Sequence, residues 1–428
     1  MSLPPLHELD AWQTTALLAR RELNAERLAR ACLERVAERD GQVHAFAHLD
    51  VNAVLAQARA LDAGAARGAL HGLPIGVKDL FDTADLPTTY GSPIYAGHRP
   101  AADAASVTLC REAGALVLGK TVTTEFAYFF PGPTANPHNP GHTPGGSSSG
   151  SAAAVAAGMV PLALGTQTAG SIIRPAAYCG VVGYKPTLGR VTGAGVKLLS
   201  RTLDVVGGFG RSVRDVGLLG TVLTGDARLM QLSDESGAPR IGLLPTPAWE
   251  QADADTQGAW AQAMRVLSPQ TLCRDVVTPE GFGELIQLQK DIMFFEMARN
   301  LSHERVLHRA RLSPQLTELL DAGMRIDGAT HAANLARTQT WRQRINALFD
   351  THDVLLTPSA TGEAPAGLNA TGDPLFCRTW SLLGLPAVHL PFARGQHGLP
   401  VGLQLVGRHG QDHQLLAAAH WIHQRLLS

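Results

Sequence analysis

The stretch Thr143–Thr187, TPGGSSSGSAAAVAAGMVPLALGTQTAGSIIRPAAYCGVVGYKPT, admits few folds. It sets two loops rich in serine and glycine on either side of an apolar segment. Gly145 and Gly146 open backbone conformations closed to other residues, and Ser147–Ser149 crowd hydroxyls at one point. Ser151–Met159, rich in alanine, predicts a short helix, and Pro161–Gly165 predicts a buried strand. The strand ends in a polar loop, Thr166–Ser171, and Pro175 suits the first turn of a following helix. A flexible Gly/Ser linker would not continue into nine mostly apolar residues and a strand.

A loop of this kind leaves backbone N–H groups without ladder partners. It can aim those of Thr168, Ala169, Gly170 and Ser171 at a developing oxyanion, with the Ser171 hydroxyl as the attacking group. Upstream, the apolar run Leu73–Val77 delivers Lys78 at its end. A lysine there usually snorkels to solvent. A desolvated lysine beside two serines instead has its pKa lowered toward working pH and can accept a proton.

These residues carry a resemblance. Lys78, Ser147 and Ser171, at their spacing and within this long stretch, resemble the amidase signature family with its Ser-cisSer-Lys triad. The resemblance covers residues 43–225 strongly and Asp353–Arg408 more loosely. It implies Ser171 as nucleophile, Ser147 as a bridging serine after a cis peptide from Gly146, Lys78 as a neutral base, and no cofactor. Gln167 stands where many members have Asp. The arginine that commonly follows the nucleophile after one residue comes one place later, in Ser171-Ile172-Ile173-Arg174. That variant resembles malonamidase, whose arginine binds a substrate carboxylate, so Arg174 is expected to contact substrate, with Gly146 beside it. The alternative for Arg174 is an internal acid or carbonyl, with the side chain serving only to hold the loop.

The implied activity is hydrolysis of a small carboxylic amide to acid and ammonia or amine through an acyl-enzyme. A second reading within the family is the glutamine-amidase subunit of a tRNA-dependent amidotransferase, for which a companion subunit is required. A third, from another class, is a non-catalytic assembly protein, although a scaffold has no need of all three of Lys78, Ser147 and Ser171.

Composition removes other classes. The 428 residues carry a net charge of −1 and 17% charged side chains, so no basic surplus attracts a nucleic acid. Five scattered cysteines without CxxC spacing fit free thiols in a reducing cytosol. No signal-like start and no apolar run of about eighteen residues is present, so a cytoplasmic protein without a membrane partner is expected. A homodimer is the oligomeric expectation.

Three motifs mislead. Gly114, Gly119, Lys120 and Thr121 satisfy the phosphate-loop pattern, yet a helix precedes and a β-type run occupies the middle. Gly146, Ser148 and Gly150 match the G-x-S-x-G elbow, but the preceding residues 136–144 contain three prolines and cannot be its strand. His138 and His142 sit among those prolines, which forbid the helix that would align them on a metal.

Read in order, residues 8–40 predict two helices, the second opened by Asn24 and closed by Gly41. A strand at Val43–His48 and a helix at Val51–Ala63 follow. Ala104–Ala113 is expected as a helix, Ala115–Leu118 as a strand, Ser212–Leu223 as a helix and Asp226–Pro239 as a polar loop. Ile241–Leu244 reads as a strand and residues 250–350 as mainly helical, shaping a pocket. Asp353–Leu356, Ala387–Leu390 and Val401–Val406 read as strands, with helices at Phe376–Leu383 and Gln411–Leu427. Strands alternating with helices predict an α/β/α sandwich on a mixed, mainly parallel sheet. One domain over residues 1–428 is expected, with a signature core at about 43–225, a helical segment at about 250–350 and a C-terminal core at about 353–428.

Overall fold

The computed structural model describes residues 5–128, 130–233 and 237–428. Among these residues eleven strands form one sheet: β1 (Phe46–His48), β2 (Pro74–Lys78), β3 (Leu116–Thr121), β4 (Leu162–Gln167), β5 (Val182–Lys185), β6 (Val205–Gly210), β7 (Ile241–Leu243), β8 (Cys273–Asp275), β9 (Val354–Pro358), β10 (Ala387–Arg394) and β11 (Pro400–Gly407). Their spatial order is β1-β3-β2-β4-β6-β5-β10-β11-β9-β7-β8. Helices cover both faces, giving the expected α/β class.

The sheet is mixed, but the expected parallel majority does not form. β2 runs parallel to β3 and β4, and β7 to β8 and β9, while β1–β3, β4–β6, β6–β5, β5–β10, β10–β11 and β11–β9 are antiparallel. The reason lies in two places. β10 and β11 form a hairpin, which needs no crossover helix. β6, Val-Val-Gly-Gly-Phe-Gly, is too glycine-rich to read as a strand, and it inserts antiparallel between β4 and β5. A Cβ on Gly208 would meet the Ala163 carbonyl oxygen at 2.5 Å, so close backbone approach demands glycine there.

Local signals behave as sequence chemistry dictates. Asn24 accepts from the Arg27 amide and Asp50 from Ala53, capping the helices Ala25–Val43 and Val51–Ala63. Ser212 and Asp215 close a reciprocal capping box on Val213–Thr224. Gly41 does not end its helix, which runs on to Val43 and stops at His44, in the left-handed region at φ 51°. Val43 therefore belongs to that helix, and the strand starts at Phe46. Residues 234–236 of the expected polar loop lie outside the described ones; Ala227–Met230 within it forms a 3-10 turn.

The alanine-rich helix spans Ser149–Ala156, two residues earlier than its composition suggests, and is buried along nearly its whole length. It is wedged against the residues after β3, where the Gly150 amide donates to the Val122 carbonyl and a side chain at 150 would strike backbone. Small residues are what that space admits. This packing sets both serine loops at the carboxyl ends of the parallel strands β2 and β4.

Candidate active site

Lys78 ends β2 with its side chain inaccessible to solvent. Its Nζ lies 2.8 Å from Ser147 Oγ and 2.7 Å from Thr166 Oγ1, and no carboxylate lies within 4 Å of it among the described residues. Burial pushes its pKa well below 10.5, and the more distant charge of Asp204 only partly opposes that. Lys120, on the neighbouring strand, shows the other outcome. It pairs with Asp79 at 3.1 Å and donates to the Phe81 carbonyl and the Thr83 and Thr88 hydroxyls. Both lysines are desolvated, but only Lys120 has a counter-charge in contact. Lys120 is thus a satisfied structural ion, and the phosphate-loop pattern has no phosphate cradle around it.

The serine run divides by partner. Ser148 Oγ donates to the Thr166 carbonyl at 3.3 Å, Ser149 Oγ to Val122 at 3.3 Å and Ser151 Oγ to Leu164 at 2.8 Å. These hydroxyls brace the loop, and Ser148 is not poised as an elbow nucleophile. Ser147 follows a cis peptide from Gly146 and turns to Lys78. Ser171 is the more exposed of the two candidate serines, at 7% against 2%. Both line a small cavity together with Thr124, Tyr128, Thr168, Ala169, Arg174, Leu199, Met293, Thr371 and Pro374. A larger groove lies elsewhere, between the N-terminal helices and Met230, and holds none of these residues.

The loop after β4 is held by its carbonyls. Thr168 O accepts from Gln289 Nε2 at 3.3 Å, Ala169 O from Ser381 Oγ at 2.7 Å and Gly170 O from the Arg174 amide at 2.9 Å. The amides of Ala169, Gly170 and Ser171 donate to no atom among the described residues. A loop pinned by its acceptors with its donors left over is suited to an anion. Gln167 completes the arrangement: Oε1 accepts from the Ile172 and Ile173 amides at 2.8 and 3.0 Å, and Nε2 donates to Ser381 Oγ. The neutral amide thereby caps the helix Ile173–Cys179.

Arg174 is 4% exposed and donates from Nη1 to the Gly372 carbonyl at 2.5 Å and from Nη2 to the Gly146 carbonyl at 2.6 Å. Burial lowers its pKa to about 10. It reaches the cavity wall while binding the peptide that precedes Ser147. Gly146 is close-packed, its Cα facing Thr371 and Thr124. His138 and His142 bond to separate carbonyls, of Cys179 and Ala364, and do not converge.

Sequence reading missed three contributors. Thr166, read only as loop, is a strand residue in contact with Lys78. Asp204, half-buried, accepts from Thr168 Oγ1 at 2.5 Å and from the Leu199 and Ser200 amides; desolvation raises its pKa to about 6. Gln289, from the helix Leu285–Asn300, reaches the Thr168 carbonyl. A polar residue beside apolar ones was the available signal for each.

Residues 27–416 match the family model described as Amidase. The chain belongs to the amidase family. It is an amide-hydrolysing enzyme. Among curated relatives of this amidase, the putative amidase AmiD of Mycobacterium tuberculosis is 32% identical over 98% of the chain and 94% of the relative. One subunit of the glutamyl-tRNA(Gln) amidotransferase of Thermus thermophilus is 34% identical over 96% and 95%. A crystal structure of an amidase superposes with a TM-score of 0.89 at 33% identity, covering 97% of this chain and all of that one. No helix among the described residues is long and apolar enough to cross a membrane.

Proposed function

We propose that this amidase hydrolyses a small carboxylic amide through Ser171, Ser147 and Lys78. Neutral Lys78 accepts the proton of Ser147 as Ser147 takes that of Ser171, and Ser171 Oγ bonds to the amide carbonyl carbon. The amides of Ala169, Gly170 and Ser171, with Thr168 at the loop's start, hold the oxyanion, each donor being commonly worth about 3 kcal/mol. Ser147 returns a proton to the departing nitrogen, the C–N bond breaks, and water then frees the acid from Ser171. The observation that carries this reading is a solvent-excluded lysine bonded to two hydroxyls, one of them Ser147, which lines a cavity with Ser171 and a loop whose amides donate to no atom among the described residues.

Arg174 is read as the clamp of the Gly146 carbonyl, with its charge at the cavity wall favouring an anionic substrate, in keeping with its malonamidase-like place in the sequence. The test is a fluorophosphonate probe followed by peptide mass spectrometry. Label on Ser171 alone supports the mechanism; label on Ser148, or none while amide is turned over, overturns it. The relatives named as amidotransferase subunits favour one further reading, ammonia supply to a partner enzyme. Brisk ammonia release by the isolated chain from amides other than glutamine speaks against it.

A further inference from the structure

Arg378 lies in the helix Leu375–Leu382, one turn beyond Pro374, which lines the cavity and abuts Gly170. It is 5% exposed. Its Nη1 donates to Gln289 Oε1 at 2.7 Å, and Gln289 in turn donates to the Thr168 carbonyl at the start of the candidate oxyanion loop. No carboxylate lies within 4 Å of the guanidinium among the described residues. Asp373, whose charge it feels, is exposed. The side-chain bond to Gln289 is thus to a neutral group, and Nε and Nη2 donate to no atom among the described residues.

A guanidinium held in a low dielectric with no counter-ion in contact is costly, and proteins ordinarily place an acid against it. Here burial lowers the Arg378 pKa, and the charge of Arg174 stands nearby. The Arg174 donors already reach the Gly146 and Gly372 carbonyls, so its fork is engaged by backbone. Arg378 has two donor nitrogens left over among the described residues, a neutral residue that fixes its plane, and a place one helical turn from Pro374 on the cavity wall. Planar presentation of two N–H groups is the geometry that grips a carboxylate.

We infer that Arg378, oriented by Gln289, is the anion-recognition group of this cavity, and that the substrate is an amide carrying a free carboxylate. The inference rests on the amidase reading for its chemistry but not for its binding test. In the Ser171→Ala protein, calorimetric titration compares malonamate, succinamate and glutaramate with the corresponding diamides. At least one amic acid is expected to bind about 30-fold more tightly than its diamide, and Arg378→Gln in the same background is expected to remove that advantage. In the active enzyme, Arg378→Gln should lower the ratio of amic-acid to diamide kcat/KM by about 30-fold, mostly through KM, with Arg378→Lys intermediate. Equal binding of amic acids and diamides to the Ser171→Ala protein overturns the inference, even if Arg378→Gln does not fold. So does a variant that loses both substrate types equally. Amic-acid binding without any amide turnover by the wild-type chain would sink the hydrolytic reading and leave the anion site standing.

Discussion

Replacing Lys78 by methionine separates the lysine's chemical role from its structural cost. In the folded protein burial depresses the Lys78 pKa, so over a range of pH the unfolded chain binds one more proton than the folded one. Folding stability contributed by this group is therefore complete above the ordinary lysine pKa, near 10.5. It declines as pH falls from there toward the depressed folded value, at about 1.4 kcal/mol per pH unit. Lys78→Met removes that titration. It also strands Ser147 Oγ and Thr166 Oγ1, at about 1–3 kcal/mol each, but that loss does not vary with pH. The difference in unfolding free energy between variant and wild type should thus shift in the variant's favour by about 1.4 kcal/mol for each unit from pH 10 downward, until the folded pKa is reached. Urea unfolding at pH 7, 8, 9 and 10 reads this directly. The wild-type kcat/KM should fall tenfold per unit below the same folded pKa, since only the neutral amine accepts a proton, and the variant should lose about 10²–10⁴-fold at the optimum. Parallel stability profiles would mean that Lys78 titrates alike folded and unfolded. Near-normal activity of the variant would remove it from the mechanism.

Other substitutions probe the loop after β4. Gly170→Ala places a Cβ 2.6 Å from Pro374 Cβ and 3.1 Å from Cys377 Cβ; it should destabilise by about 1–3 kcal/mol and cut kcat more than it raises KM, as steady-state kinetics would show. Gln167→Leu unpairs the Ile172 and Ile173 amides and removes a donor to Ser381 Oγ, which keeps its bond to the Ala169 carbonyl, and should cost about 2–4 kcal/mol in denaturant unfolding together with a loss of kcat. Arg174→Ala removes charge-assisted bonds to the Gly146 and Gly372 carbonyls; a loss of about 3 kcal/mol with a decline on neutral as well as carboxylate-bearing amides marks the clamp role, and a decline on carboxylate-bearing amides alone refutes it.

What residue chemistry determined by itself was local or periodic. Asn24, Asp50 and Ser212 announce their helices because a short polar side chain competes for the first free amides whatever the tertiary context. The alternation of apolar strands with helices determined the α/β class, and the long serine- and glycine-rich stretch, through its resemblance to the amidase signature, singled out Ser147 and Ser171 and, upstream, Lys78 as candidates. Packing decided the rest. β6 is a strand only because neighbouring backbones approach closer than any side chain would allow, so its glycines, read locally, point away from a strand, and with β6 unseen the antiparallel half of the sheet was hidden. Two lysines at strand ends look alike in the chain. Only the fold brings Asp79 to Lys120 and leaves Lys78 with hydroxyls. The contacts made by Gln289, Asp204 and Arg378 near the cavity join residues far apart in the chain, and no pattern of spacing encodes such contacts. Burial and counter-charge are properties of the folded surroundings, and they turn an ordinary lysine into a candidate base and an ordinary arginine into a candidate anion site.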